Sequence, residues 1–223
     1  MSFRTAYGYS RSENGWRMVN RDACVVAGPS VGLATMNTAP IRAGDASTIL
    51  VAWALWYHRN VEPLRSPVWG WSAENAVGDS NHLSGTALDF NAPQYPWGYR
   101  TMPGNRKALV RRGLALFEGV IYWGADWNRA DEMHYQLAYP EGDHRISAFA
   151  AKLNAGHLGL YRTTEKDDDD MTENDRKMLR EIWTQLLGPN GRGWPQLGQN
   201  DKGQNLTLVD ALAEHRKSAE AAQ

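Results

Sequence analysis

Cysteine is almost absent from the chain: Cys24 is the single one in 223 residues. No internal disulfide can hold the fold, and no catalytic motif surrounds this thiol, so it reads as a buried apolar residue. Long apolar runs are missing too. Nothing approaches the ~20 residues a membrane helix needs, which argues against membrane insertion. The N-terminus lacks the charged, apolar, small-residue order of a secretory signal, so synthesis in the cytoplasm without export by that route is expected. An excess of charge is also lacking: 24 Lys and Arg face 25 Asp and Glu, a formal net charge of −1. Without a basic surface, a nucleic-acid partner is not expected. No pair of carboxylates stands out, which disfavours a glycosidase. Phenylalanine is sparse at four, but tryptophan is abundant at ten. Several Trp sit in polar, turn-like contexts, where an indole can pack or line a groove.

What is present centres on residues 80–89, which read S-x-H-x-x-G-x-A-x-D, and on a D-x-x-H at residues 131–134. Two imidazoles and a carboxylate are a suitable ligand set for catalytic zinc, which takes three protein ligands and leaves a position for water. His82, Asp89 and His134 are the candidate ligands. Asp131 is the candidate base, placed to take a proton from water and pass it to a leaving amine. Residues 86–91 read as a strand, with Thr86, Leu88 and Phe90 on one face and Ala87, Asp89 and Asn91 on the other. Gly85 permits a tight turn before it. A second strand is expected over 132–137. Asp131 and His134 are three apart and would face opposite ways on a regular strand, so Asp131 belongs in the preceding turn.

These motifs resemble the signature of the M15-type zinc peptidases, which include D-Ala-D-Ala carboxypeptidases, dipeptidases and phage L-alanyl-D-glutamate endopeptidases. The resemblance is strongest over about residues 60–140. More loosely, the whole chain resembles endolysins of phages infecting mycobacteria and related actinobacteria. The resemblance places His82, Asp89 and His134 on zinc ligands and Asp131 on the catalytic acid/base. It implies a Hedgehog/DD-peptidase-like fold and a peptidoglycan stem peptide as substrate, with the L-Ala-D-Glu bond cut. It further implies action on the cell wall after holin-dependent release from the host bacterium. One feature departs from the pattern. Many relatives carry a substrate-binding Arg in a G-Y-R-S strand, whereas residues 67–72 here contain no Arg and Arg65 lies just upstream.

The remaining chain suggests an α+β fold: a small antiparallel sheet carrying the zinc site, flanked by helices, with a short helical C-terminal appendage. Residues 1–42 read as irregular. A helix is expected over 45–60, ended by Pro63, with His58 at its surface end. A strand is expected over 68–73. Residues 91–104 form a loop beside the metal strand, and Ser80, Tyr95 and Trp97 are candidate substrate contacts, with Tyr99 nearby. A helix over 105–118 should bury Ala108, Leu109, Leu114, Leu116 and Phe117 and expose Arg106, Lys107, Arg111 and Arg112. A strand over 120–123 and a helix over 147–153 complete the peptidase domain, residues 1–162. His144 and His157 read as surface residues. The four aspartates within 163–170 mark an acidic linker. Beyond it, 171–223 should form two short helices, the first capped by Thr172, suited to wall binding or self-association. The oligomeric state is open.

Two functions compete: a zinc peptidase of the stem peptide, with D-Ala-D-Ala carboxypeptidase as its variant, and a non-catalytic zinc-containing wall-binding module. A structural zinc site takes four ligands and needs no base, so Asp131 favours the enzyme.

Overall fold

The computed structural model describes residues 2–161 and 173–221. The chain divides into two compact units, residues 1–163 and 164–223. The acidic linker and the cap expected at Thr172 lie outside the described residues.

Helix α1 (Asp45–Asn60) is the apolar axis of the first unit, burying Ala46 and every residue from 49 to 57. A helix buried this broadly needs partners on several sides. One is α3 (His144–Asn154), which packs along it. Another is a three-stranded antiparallel sheet of order β3 (Ala87–Asp89), β5 (His134–Leu137), β4 (Ile121–Trp123). Trp53 of α1 sits 5.3 Å from the Tyr135 ring and 5.1 Å from Phe117, and Tyr57 sits 5.0 Å from Phe90. The tilted contacts to Tyr135 and Phe90 seat the helix on the sheet, and the edge-on contact to Phe117 adds the end of the next helix.

Alternation along β5 separates two environments. Tyr135 and Leu137 enter the core under α1. His134 and Gln136 point to the other face, yet both are buried as well. The expected alternation is present, but it divides core from cleft, not core from solvent.

Helix α2 (Gly104–Leu116) corrects the expected buried face. Val110, Gly113 and Phe117 form the buried stripe, while Ala108 and Leu116 are exposed. Gly113 sits where a Cβ would lie 2.2 Å from the Trp56 ring, so only glycine lets the two helices approach here. Arg106 and Lys107 are not a freely solvated face. Arg106 pairs with Glu62 at 3.1 Å and Lys107 with Glu132 at 2.6 Å.

Glu132 anchors the loop that precedes α2. Its side chain is fully buried and accepts from the backbone amides of Thr101 and Met102, both at 2.6 Å. Removing one partner of a buried pair leaves the others unpaired, at a cost of about 3 kcal/mol. Glu132→Ala is therefore expected to lower the unfolding free energy by about 3 kcal/mol, as read from urea titration of the far-ultraviolet signal. A loss under about 1 kcal/mol would mean that other contacts hold the loop.

Two further expectations are corrected. Residues 68–73 form no regular strand; a single bridge pairs Trp69 with Asp89. Residues 1–42 are more ordered than their composition suggests. They include bridges Phe3–Val19 and Arg11–Arg17 and a small sheet of β1 (Cys24–Val25) with β2 (Ile41–Arg42). Glu141 ties this region down, accepting from Arg17 and Arg42 at 2.8 Å each. His58 is partly exposed near the end of α1, in keeping with its surface reading, and its Nδ1 accepts from the Leu64 amide at 3.1 Å. Cys24 is buried, as expected, and burial pushes its thiol up to about 11.

The second unit contains α4 (Glu173–Leu187) and α5 (Leu208–Ala221), which contact each other. Within it Leu179, Ile182 and Trp183 stay half-exposed, as two short helices cannot build a large core. Among the described residues, no helix is long and apolar enough to cross a membrane.

Candidate metal centre

Strand register brings two of the motif residues together. Asp89 of β3 and His134 of β5 are direct partners across the antiparallel pair. Side chains at opposed positions project to the same face a few ångströms apart. His134 Nδ1 lies 3.0 Å from Asp89 Oδ1.

His82 arrives from a short 3₁₀ turn, Asn81–Ser84. Ser80 caps this turn, its hydroxyl accepting from the His82 amide at 3.3 Å. Gly85 ends it in the left-handed conformation, φ 71°, where an added Cβ would meet the Arg42 backbone nitrogen at 2.9 Å. Glycine alone suits both demands. The turn directs His82 Nε2 to 3.2 Å from Asp89 Oδ2 and 3.2 Å from His134 Nδ1. The ligand atoms of His82, Asp89 and His134 all lie within 4.8 Å of one another, and all three residues are buried.

The donor chemistry fits a metal ion. His82 Nδ1 lies 2.7 Å from the Gly70 carbonyl oxygen, an acceptor only, so this nitrogen carries the proton. The Nε2 lone pair is then free to face Asp89 and His134. Without an ion, burial lowers the His82 pKa, but Asp89 outweighs it and the net shift is upward. Burial raises the Asp89 pKa, but the two imidazoles outweigh it and hold the carboxyl well below the usual range. A carboxylate clamped between two buried imidazoles is the environment a divalent cation stabilises in their place.

Asp131 lies in the turn before β5. Its amide donates to the Gly124 carbonyl at 2.9 Å, and its carbonyl accepts from the His134 amide at 3.3 Å. A Cβ on Gly124 would meet the Asp131 carbonyl oxygen at 2.7 Å, so glycine makes room for the turn. Asp131 Oδ1 is buried with no hydrogen-bond partner among the described residues. Burial first, and the Asp89 charge second, push the Asp131 carboxyl up to about 6. A buried carboxylate with one unpartnered oxygen beside a ligand cluster has the properties a proton-transfer group needs.

All four residues line one open cleft of about 500 Å³. Trp69, Trp97, Trp127 and Met133 form its apolar walls, and Glu13, Asp79 and Ser80 stand among its polar groups. Arg129 is the one Lys or Arg among the lining residues, and its guanidinium lies 3.6 Å from the centre of the Trp97 ring. Of the candidate substrate contacts, Ser80 and Trp97 line the cleft. Tyr95 does not: it is 2% exposed and donates its hydroxyl proton to Glu62 within the core. Tyr99 is exposed outside the lining. Sequence reading passed over Glu13, Asn81, Gln136 and Arg129. Asn81, Gln136 and Arg129 each stand within two residues of a motif residue without being one, whereas only the tertiary fold brings Glu13 to the site.

Comparison with known proteins bears on both units. Residues 73–137 match the peptidase M15 family described as D-alanyl-D-alanine carboxypeptidase. This segment contains all four motif residues. Residues 171–222 match a family described as the Rv3766 C-terminal domain. The chain is also 65% identical over 46 residues to the uncharacterized protein Rv3766 of Mycobacterium tuberculosis. That similarity covers 21% of this chain and 16% of the relative, so the chain spans only a small part of that protein's length. No solved structure matches the chain.

Proposed function

We propose that the first unit is a zinc-dependent peptidase that hydrolyses an amide bond in the stem peptide of peptidoglycan, between L-Ala and D-Glu. One observation carries this reading: the convergence of His82, Asp89 and His134 beside a buried carboxylate with one unpartnered oxygen, in an open cleft. A structural site would need a fourth ligand and would have no use for Asp131.

His82 Nε2, His134 Nδ1 and the Asp89 carboxylate would hold the ion. Zinc in such a set makes water acidic enough to supply hydroxide near neutral pH and polarises a carbonyl. Asp131 takes the proton from the attacking water and delivers it to the nitrogen of the leaving amine. The indoles of Trp69, Trp97 and Trp127 exclude water from the peptide and give it a surface to lie on. Arg129, held on Trp97, supplies a cation for a substrate carboxylate, a task the resemblance assigns to an Arg missing from residues 67–72.

The description of the matching family favours a second reading, a D-Ala-D-Ala carboxypeptidase in which Arg129 meets the terminal carboxylate. Within the first reading we place the protein among phage endolysins that act on the wall after holin-dependent release. The second unit would then bind wall or a second copy.

Mass spectrometry of purified peptidoglycan, digested with and without chelator, separates the readings. New N-terminal D-glutamate or D-isoglutamine ends that chelator abolishes are the expected result. Loss of a single terminal D-Ala would assign the carboxypeptidase. No metal-dependent product from a zinc-loaded protein would leave a binding module.

A further inference from the structure

His134 meets a second set of partners away from the ligand cluster. Its Nε2 lies 3.0 Å from Gln136 Oε1, two residues along β5. An amide side chain can present either oxygen or nitrogen at such a position, and the choice decides which imidazole nitrogen carries the proton. Here the neighbours settle it. The Asn14 main-chain N–H, which can only donate, points at Asn81 Oδ1 at 3.0 Å. Asn81 Nδ2 must therefore face the other way, where it donates to Gln136 Oε1 at 2.6 Å and to Glu13 Oε2 at 3.1 Å. Gln136 Nε2 in turn donates to Glu13 Oε2 at 2.8 Å. Glu13 can only accept when ionised. With its carboxylate on one side and the Asn81 amide on the other, Gln136 has one satisfied orientation, oxygen toward His134.

We propose that Glu13 is a positioning residue for His134. Through Gln136 it keeps the imidazole proton on Nε2 and leaves the Nδ1 lone pair directed at Asp89 and His82. The N-terminal segment thereby does for His134 what the Gly70 carbonyl does for His82. Its contribution is orientation and tautomer, with no contact to the ligand position itself. The same segment pins Glu13 at this spot, because the Glu13 amide donates to the Asp79 carbonyl at 2.7 Å. Partners of this kind behind a ligating histidine typically alter metal affinity by roughly 10- to 100-fold when removed.

The inference rests on reading the cluster as a metal site, but its test can be separated from that reading. In metal-free protein labelled with nitrogen-15, imidazole proton–nitrogen correlation spectra report the His134 Nε2–H and its exchange with water. Nδ1 faces the Asp89 carboxylate at 3.0 Å, so the measurement is confined to Nε2. The native protein is expected to show an Nε2–H protected from exchange by Gln136 Oε1. Glu13→Ala, which removes the acceptor for Gln136 Nε2, is expected to lose that protection and to weaken zinc binding by roughly tenfold. Glu13→Gln keeps an acceptor oxygen without the charge and should keep the protection. Adding Gln136→Glu to Glu13→Ala should restore both protection and zinc affinity, because a carboxylate accepts whichever way it is turned. A Glu13→Ala protein whose Nε2–H stays as protected as the native one overturns the proposal, as does Glu13→Gln behaving like Glu13→Ala. A native protein that binds no zinc but shows the Glu13-dependent protection would keep the positioning role and sink the metal reading.

Discussion

Asp131→Asn is expected to keep its zinc and to lose at least ~10²-fold in turnover. The substitution is nearly isosteric, and no ligand atom is touched. The side-chain oxygen it retains can still accept a hydrogen bond, but an amide cannot take a proton from water at neutral pH. The loss should fall on kcat and kcat/KM alike, since proton transfer is made only in the transition state. A hundredfold loss corresponds to about 2.7 kcal/mol of barrier. The geometry supports attribution to chemistry, because Asp131 Oδ1 has no hydrogen-bond partner among the described residues whose loss would disturb the fold. Zinc content by atomic absorption and single-turnover rates on a stem-peptide substrate provide the measurement. Near-native turnover in a zinc-loaded variant would remove Asp131 from the role of base.

His134→Ala should have the opposite signature, losing the ion and the activity together. It removes one of the three proposed ligands and also leaves the Gln136 amide oxygen without the imidazole it faces. Ligand binding stabilises a fold by mass action, about 2.7 kcal/mol at a free concentration a hundred times the dissociation constant. For a domain of this size that raises the unfolding midpoint by roughly 5–10 °C. Scanning calorimetry of the native protein should show this shift on adding zinc and its disappearance with chelator. The variant should show neither. If the native midpoint ignores zinc, the cluster of His82, Asp89 and His134 is not a zinc site.

The skeleton of the first unit was legible because its signals are local. Helix α1 begins and ends where the apolar run and Pro63 place it, and β3, β4 and β5 fall within the expected segments. The motif carried its own spacing, so His82, Asp89, Asp131 and His134 could be put forward together. Register then did what no pattern states, setting Asp89 opposite His134. The failures have a common physical source. Tyr95 lies in a polar-looking loop that reads as a cleft wall, but Glu62 and Arg106 satisfy its hydroxyl inside the core. Arg106 and Lys107 look solvated until Glu62 and Glu132 are found beneath them, far away in the chain. Glu13 sits in a stretch without periodicity, and its meaning depends on Gln136, separated from it by 123 positions. Partners this distant leave no trace in any window of sequence.

That separation has a consequence for when the protein can act. The ligand cluster and its supports draw Glu13 from an N-terminal turn and Gln136 from β5, with Gly70 and His82 between. Contacts so far apart close only after the intervening chain is ordered, which makes them late events in folding. During synthesis, a chain whose β5 is still inside the ribosome cannot yet set His134, its partner Gln136 or the neighbouring Asp131 beside His82 and Asp89. The cluster of His82, Asp89 and His134 therefore forms only with completion of the first unit, and a chain cut short before β5 has no such cluster.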